Sequence, residues 1–168
     1  MNKYYVNGLE NRKVYSEFIT YMLHNSNAFS FIYFKYKNSE KNKKSVLKIK
    51  TELLPYKIYT KNVNKWPGTE SQDYGHIYRM TVYRSDIKVE SILKQVEHLY
   101  AWNYPAYPMD LCFYKDGFAW FWSSSHEGIS CFYSDDKIAQ ELNELGVELQ
   151  LCKKINKLEL YYDPKTIY

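Results

Sequence analysis

The chain has few of the residues that mark disulfide-rich, metal-binding or disordered proteins. Among 168 residues there are three cysteines, six glycines and five prolines. So few glycines and prolines argue against long disordered stretches. The cysteine count is odd, and no Cys-x-x-Cys pair or neighbouring histidine gives the spacing of a zinc site. Cys112, Cys131 and Cys152 are therefore predicted to be small buried thiols in strands.

Long apolar runs are also missing. No stretch reaches the roughly 18 apolar residues that a membrane-spanning helix needs. The first ten residues, MNKYYVNGLE, contain no apolar signal core and no small-residue cleavage site. We therefore expect a cytoplasmic protein without a membrane partner.

The sequence contains no Walker loop, dinucleotide fingerprint or kinase signature, and we expect no cofactor and no metal site. The run Ser123-Ser124-Ser125-His126-Glu127 contains every residue type of a serine-hydrolase triad. Neighbours in an extended segment point to opposite faces, however, whereas a triad needs side chains that converge. The run is predicted to be a strand-to-strand turn, in which His126 and Glu127 are candidate contacts for a partner.

Acidic pairs for catalysis are missing as well. Four aspartates are assigned to turns and helix caps, which leaves no clear candidate for paired-carboxylate chemistry. These residues are Asp110, Asp116, Asp135 and Asp136. The protein is therefore predicted not to be an enzyme.

What the chain has in excess is aromatic residues, which make up 18% of it. Phe118, Trp120 and Trp122 are predicted to share one face of a strand, because alternate residues of a strand point the same way. Trp66 and Trp102 lie beside proline-containing irregular segments. Tryptophan on such segments is frequent at recognition surfaces, so both are candidate partner contacts.

The net charge is only +4, but it is unevenly distributed, with seven lysines and one acid between residues 35 and 50. This segment is predicted to be a solvated loop between two strands. Lys41, Lys43 and Lys44 within it are candidates for steering an acidic protein partner or for contacting phosphates. The absence of arginine from this segment weakens the phosphate alternative, because bidentate recognition favours arginine.

Apolar residues spaced by three and four predict three amphipathic helices. The first covers residues 11–24 with Asn11 as its N-cap, and the second covers residues 89–100. The third lies between Ser134, its expected N-cap, and Gly146, its expected terminator.

The β-rich runs between these helices predict strands, and Asp116-Gly117 between two of them predicts a tight hairpin. The predicted strands cover residues 29–36, 46–49, 56–60, 76–84, 111–114, 118–123, 129–133, 147–152 and 158–162. Together the elements predict a single α+β domain over residues 1–168, with a largely antiparallel sheet and about three helices.

Two motifs carry a resemblance. Trp66-Pro67-Gly68-Thr69 is the first, and the second runs from Pro105 to Glu127 and includes Asp110-Leu111-Cys112-Phe113-Tyr114-Lys115-Asp116-Gly117. Over residues 66–133 the chain resembles small uncharacterised proteins of Bacillus-type bacteria and their prophages. The resemblance implies a small accessory protein of the immunity or phage-inhibitor type. It implies no catalytic residue.

Three hypotheses follow for the function. The first is a non-enzymatic immunity or inhibitor protein that neutralises a larger protein partner, such as a toxin or a defence protein, through Trp66, Trp102, His126 and Glu127. The second is a nucleic-acid-binding accessory domain that uses lysines and exposed aromatic residues. The third is a hydrolase with His126 as its base.

Overall fold

Eight β-strands form one sheet in the computed structural model, which describes residues 1–35, 44–69 and 77–154. Every neighbouring pair of these strands is antiparallel. The strands are β1 Asn2–Asn7, β2 Ala28–Lys35, β3 Lys57–Val63, β4 Ile77–Arg84, β5 Met109–Lys115, β6 Phe118–Ser124, β7 Ile129–Ser134 and β8 Glu148–Lys154. Their order across the sheet is β3-β4-β2-β5-β6-β7-β1-β8.

Four α-helices accompany the sheet within the described residues: α1 Arg12–Asn25, α2 Lys44–Glu52, α3 Glu90–Leu93 and α4 Asp136–Glu144. The α+β class and the antiparallel sheet are confirmed, although the sheet is larger than expected and the helices number four rather than about three. In α1, Asn11 caps the first turn as predicted, because its side chain accepts hydrogen bonds from the backbone N–H of Lys13 and Val14.

The larger hydrophobic core lies between the helices and one face of the sheet, which we call the helix face. From α1 it takes Phe18, Ile19 and Met22, which pack on strand residues such as Phe29 and Phe121. The other side of the sheet, which we call the second face, has its own smaller buried cluster. That cluster contains Ala28, Ile32, Trp66, Met80, Val82, Cys112, Tyr114 and Ala119.

The Asp-Gly hairpin forms as predicted. It joins β5 to β6, and Asp116 and Gly117 both have positive φ angles, of 50° and 76°. A bulge then interrupts the alternation of β6. Trp120 has no partner on β5, and it lies on the helix face together with Phe121. Trp122 packs instead against the cluster of the second face, so the predicted common face of Trp120 and Trp122 is wrong.

The predicted strand over residues 46–49 is wrong, because this segment belongs to α2. Val46, Ile49 and Leu53 are buried while Leu47 is exposed. Buried residues at intervals of three and four fit one face of a helix, whereas a strand would bury alternate residues. The β-branched residues of the segment suggested a strand, but packing against the core outweighs that propensity.

The predicted helix over residues 89–100 is mostly replaced by shorter turns: α3 covers only Glu90–Leu93, and a 3-10 turn covers Leu99–Ala101. The carbonyl of Leu93 accepts a hydrogen bond of 2.7 Å from the Tyr15 hydroxyl. This tertiary bond satisfies a carbonyl at the end of α3 without a further helical turn. The apolar positions of the segment are buried as the helix would have required.

Towards the ends of the chain the structure differs from the prediction in two places, and one predicted strand falls on residues that are not described. Strand β1 was not predicted, although Tyr4 and Val6 are buried and their neighbours are not, which is the alternation of a half-buried strand. The cap of α4 is Asp135 rather than Ser134, since its carboxylate accepts from the Ile138 N–H. The predicted strand over residues 158–162 lies outside the described residues.

Candidate functional site

The structure separates the predicted contact residues into exposed and buried ones. The side chains of His126 and Glu127 are 59% and 53% exposed, in agreement with a role at the surface. Lys44 is exposed at the start of α2, whereas Lys41 and Lys43 lie outside the described residues. Trp66 and Trp102, the other candidate contacts, are buried, at 4% and 0% exposure, so neither lies at the surface as a direct partner contact would require.

Trp102 belongs to the core under the helices. Its ring lies 4.6 Å from that of Phe31, and its Nε1–H donates a hydrogen bond of 2.7 Å to the Tyr15 hydroxyl. Because burial disfavours the charged phenolate, the pKa of Tyr15 is raised well above its usual value. Trp102 therefore stabilises the fold in this conformation and presents no surface to a partner.

Trp66 is buried on the second face, and its indole Nε1–H donates a hydrogen bond of 2.9 Å to the Asp110 carboxylate. The other carboxylate oxygen of Asp110 accepts a bond of 2.8 Å from the backbone N–H of Ser125. One carboxylate thus joins the segment that carries Trp66 to the turn after β6. Asp110, predicted to be a turn residue, lies within β5 and has a positive φ of 57°.

Asp110 is 3% exposed, and burial raises the pKa of its carboxyl above the ordinary value. The hydrogen bonds from Ser125 and Trp66 oppose that rise by favouring the charged form, as does nearby His126, whereas Glu127 adds to it. Among the described residues, no lysine or arginine forms an ion pair with this carboxylate. The acid is therefore hydrogen-bonded but lacks a cationic partner in that part of the chain.

A cavity of about 280 Å³ lies beside Asp110. One wall is an arc of four aromatic rings in sequential contact, with centroid distances of 5.0 Å for Trp66–Tyr78, 5.1 Å for Tyr78–Phe34 and 5.3 Å for Phe34–Tyr104. The rest of the lining comes from Thr69, Asn103, Met109, Asp110 and His126. We call this cavity the Asp110 pocket. Apolar walls with a few converging polar groups are typical of a binding site.

The turn over residues 125–128 borders the Asp110 pocket, which His126 of this turn lines. Backbone hydrogen bonds from Glu127 to Ser124 and from Gly128 to Ser125 close it, and Asp110 fastens it through the Ser125 N–H. His126 lines the pocket while most of its side chain reaches solvent. The turn predicted from the sequence is thus present, and it places His126 between a concave pocket and the outer surface.

The geometry around His126 does not provide an accessible nucleophile. The Ser124 hydroxyl lies 3.4 Å from His126 Nδ1, which is a long contact for a hydrogen bond, and Ser124 is completely buried. Glu127 Oε1 lies 3.9 Å from the other ring nitrogen, on an exposed side chain. A triad requires a nucleophile that a substrate can reach and a base that a third group orients closely.

A cluster of one lysine and three aromatic rings lies elsewhere on the second face, and we call it the Lys3 cluster. Lys3 Nζ is within 6 Å of three ring centroids, at 5.9 Å from Tyr5, 5.5 Å from Trp122 and 5.9 Å from Tyr133. Tyr5 is exposed, and the other two rings are partly exposed. This cluster was not predicted from the sequence, because strand β1, which carries Lys3 and Tyr5, was not predicted.

In the described ranges, no group of three or more histidine, cysteine, aspartate or glutamate side chains could hold a metal ion. None of the helices there combines the length and the apolar character needed to cross a bilayer.

Comparison of the chain with protein-family models, curated proteins and solved structures found no match. The resemblance noted for residues 66–133 therefore stays a prediction.

Proposed function

We propose that the chain is a non-enzymatic binding protein that acts in the cytoplasm on a larger protein partner, in the manner of an immunity protein or inhibitor. The observation that carries the proposal is the Asp110 pocket, flanked by the exposed pair His126 and Glu127 on a turn that Asp110 holds in place. A concave aromatic pocket beside exposed polar side chains provides an anchor and a rim, the usual anatomy of a protein interface.

The proposed contact set differs from the one expected from the sequence. His126 and Glu127 remain at the rim, and Trp66 contributes as a wall of the pocket rather than as an exposed contact. Trp102 is not part of the proposed contact set because it is buried in the core. Lys44 remains a candidate for steering an acidic partner, an effect that raises the association rate and fades as salt screens it.

Affinity capture with matched variants tests this proposal. The tagged wild-type chain is incubated with lysate of the source organism after nuclease treatment, and bound proteins are quantified by mass spectrometry. We expect one stoichiometric protein that is lost with the double variant His126→Ala/Glu127→Ala. The control is Gln140→Ala/Glu144→Ala, which truncates an exposed pair of α4 joined by a hydrogen bond of 3.3 Å. Equal capture by both double variants would remove the turn from the contact.

A nucleic-acid-binding role is the second candidate, and the Lys3 cluster supports it. A lysine beside one exposed and two partly exposed rings resembles the platforms on which single-stranded bases stack while a cation contacts the phosphates. Anisotropy of a labelled single-stranded oligonucleotide, followed against salt, tests this role. Lys3→Gln should weaken binding much more than Lys137→Gln, an equal charge change at an exposed site on α4. Absence of binding at low salt would contradict the nucleic-acid-binding role.

A further inference from the structure

The Asp110 pocket combines two features that favour the same kind of ligand. Its wall is the arc of Trp66, Tyr78, Phe34 and Tyr104, in which successive rings are tilted by 46° to 65° relative to one another. Aromatic faces carry partial negative charge and attract a cation within about 6 Å of the ring centre. Beside the arc lies the carboxylate of Asp110.

The carboxylate retains capacity for a further partner. An ionised carboxylate offers about four acceptor positions, and the described contacts of Asp110 occupy two of them, through the Trp66 indole and the Ser125 amide. The Thr69 hydroxyl at the same pocket is buried and has no hydrogen-bond partner in the structure described. Buried polar groups ordinarily have partners, so both features indicate a polar ligand with donor groups.

We propose that the Asp110 pocket binds an ammonium or guanidinium group, with the cation against the aromatic arc and one N–H or the positive charge directed at Asp110. The inference rests on the proposed function, because it names the group that a partner protein would insert: the end of a lysine, methylated lysine or arginine side chain. A free organic cation would present the same chemistry. A volume of about 280 Å³ suits a group of this size rather than a nucleotide or a larger cofactor.

Fluorine NMR on protein labelled with 5-fluorotryptophan gives a readout at the pocket itself. The chain has four tryptophans, and Trp66→Phe identifies the resonance of Trp66. Trp102 and Trp120 lie in the core of the helix face and serve as internal controls. The probes are choline, methylguanidinium and 3,3-dimethylbutan-1-ol, which is the neutral isostere of choline.

The expected result is a saturable shift of the Trp66 resonance with choline or methylguanidinium, at least roughly tenfold weaker with the neutral isostere. Asp110→Asn should weaken cation binding by a similar factor. Asp116→Asn is the matched control, since Asp116 also has a positive φ but lies in the hairpin turn away from the pocket. It should bind the probes as the wild type does. Equal shifts with the neutral isostere, or unchanged affinity in Asp110→Asn, would overturn the inference.

Competition separates the two sources of the cation. If a partner's side chain occupies the pocket, saturating choline displaces the captured protein from the wild-type chain. If the natural ligand is a free cation, choline shifts the Trp66 resonance but leaves capture unchanged. Capture that depends on His126 and Glu127, without any cation-specific shift, would overturn the inference and leave the proposed function standing.

Discussion

Gly68 lies against the indole ring of Trp122 so closely that a methyl group added at Gly68 would be 2.1 Å from Trp122 Cε3. The contact brings the segment that carries Trp66 onto the second face of the sheet. Gly68 also has a φ of 83°, which side-chain-bearing residues rarely adopt. The short distance to Trp122 and the positive φ both favour glycine at this position. Both also affect how the segment places Trp66 against Asp110.

Gly68→Ala should therefore destabilise the protein by about 2–4 kcal/mol, from backbone strain together with the clash against a rigid ring. Gly128→Ala is the matched control. Gly128 has a φ of 65°, but nothing lies within 4 Å of the added carbon, so only the strain of about 1–2 kcal/mol applies. Urea denaturation of both variants measures the difference. Equal losses of stability would show that the Gly68–Trp122 contact adds nothing to the backbone requirement.

Tyr15→Phe should cost about 2–3 kcal/mol of unfolding free energy. The Tyr15 hydroxyl accepts from Trp102 Nε1 and donates to the Leu93 carbonyl, so its removal leaves two buried polar groups without partners. Tyr133→Phe removes a hydroxyl that accepts from Trp122 Nε1 in a partly exposed place, where water can replace it. That control should change stability by less than about 0.5 kcal/mol. A small effect of Tyr15→Phe would contradict the assignment of Trp102 to the stability of the core.

The three cysteines should differ sharply in their reactivity toward a thiol reagent at pH 8. Cys112 and Cys131 are buried as predicted, whereas Cys152 is exposed, so the prediction of a buried thiol is wrong for Cys152. Burial raises the pKa of Cys131 to about 11 and raises that of Cys112 further, so neither forms appreciable thiolate at this pH. We expect one rapidly reacting thiol per native chain and none in Cys152→Ser. Two or three rapid thiols would contradict the burial of the other pair.

Asp110 should make the protein less stable as the pH rises. Burial raises the pKa of its carboxyl in the folded state above 3.8, so the folded state binds a proton that the unfolded state has already released. The stability that the protonated Asp110 carboxyl contributes is thus complete below pH 3.8. It is lost as the pH rises through the higher pKa of the folded state. Asp110→Asn removes this titration. The stability of the wild type relative to Asp110→Asn should fall across that window, and a constant or rising difference would contradict the direction of the shift.

His126 and Glu127 also face Asp110 and affect the same titration. Repeating the comparison in His126→Ala and Glu127→Ala backgrounds separates their influence. Since both side chains are exposed, each substitution alone should alter stability by less than about 0.5 kcal/mol at neutral pH. A larger loss would mean that the turn depends on these side chains rather than on the Ser125–Asp110 bond.

Local signals predicted a large part of the fold. Asn11, the spacing of Phe18 and Met22, and Asp116-Gly117 each act within a few residues, and helix α1 and the β5–β6 hairpin formed as expected. Segments that depend on distant partners were predicted less well. The predicted helix over residues 89–100 is shortened at Leu93, whose carbonyl bonds to Tyr15. Residues Val46 and Ile49 were predicted in a strand but lie in helix α2, where both pack into the core.

The candidate site was predicted only in part for the same reason. His126 and Glu127 were placed correctly at the surface because a turn is local. The Asp110 pocket, however, combines residues from β2, β4 and β5 with Trp66, and nothing in the spacing of the chain brings these together. One signal was available: Asp110 directly precedes the β-rich run that starts at Leu111. A carboxylate next to a buried strand requires hydrogen-bond partners. That requirement marks Asp110 as a candidate site residue from the sequence alone.

The place of β1 in the sheet has a consequence for how the protein is made. Strand β1 lies between β7 and β8, so it pairs only with strands that follow it by more than a hundred residues. During translation the other half of the sheet, from β3 to β6, is available for pairing while β1 waits unpaired. The apolar Tyr4 and Val6 are then exposed for most of synthesis. Pairing between strands so far apart in sequence forms slowly, and until β7 is available it leaves the apolar residues of β1 open to aggregation.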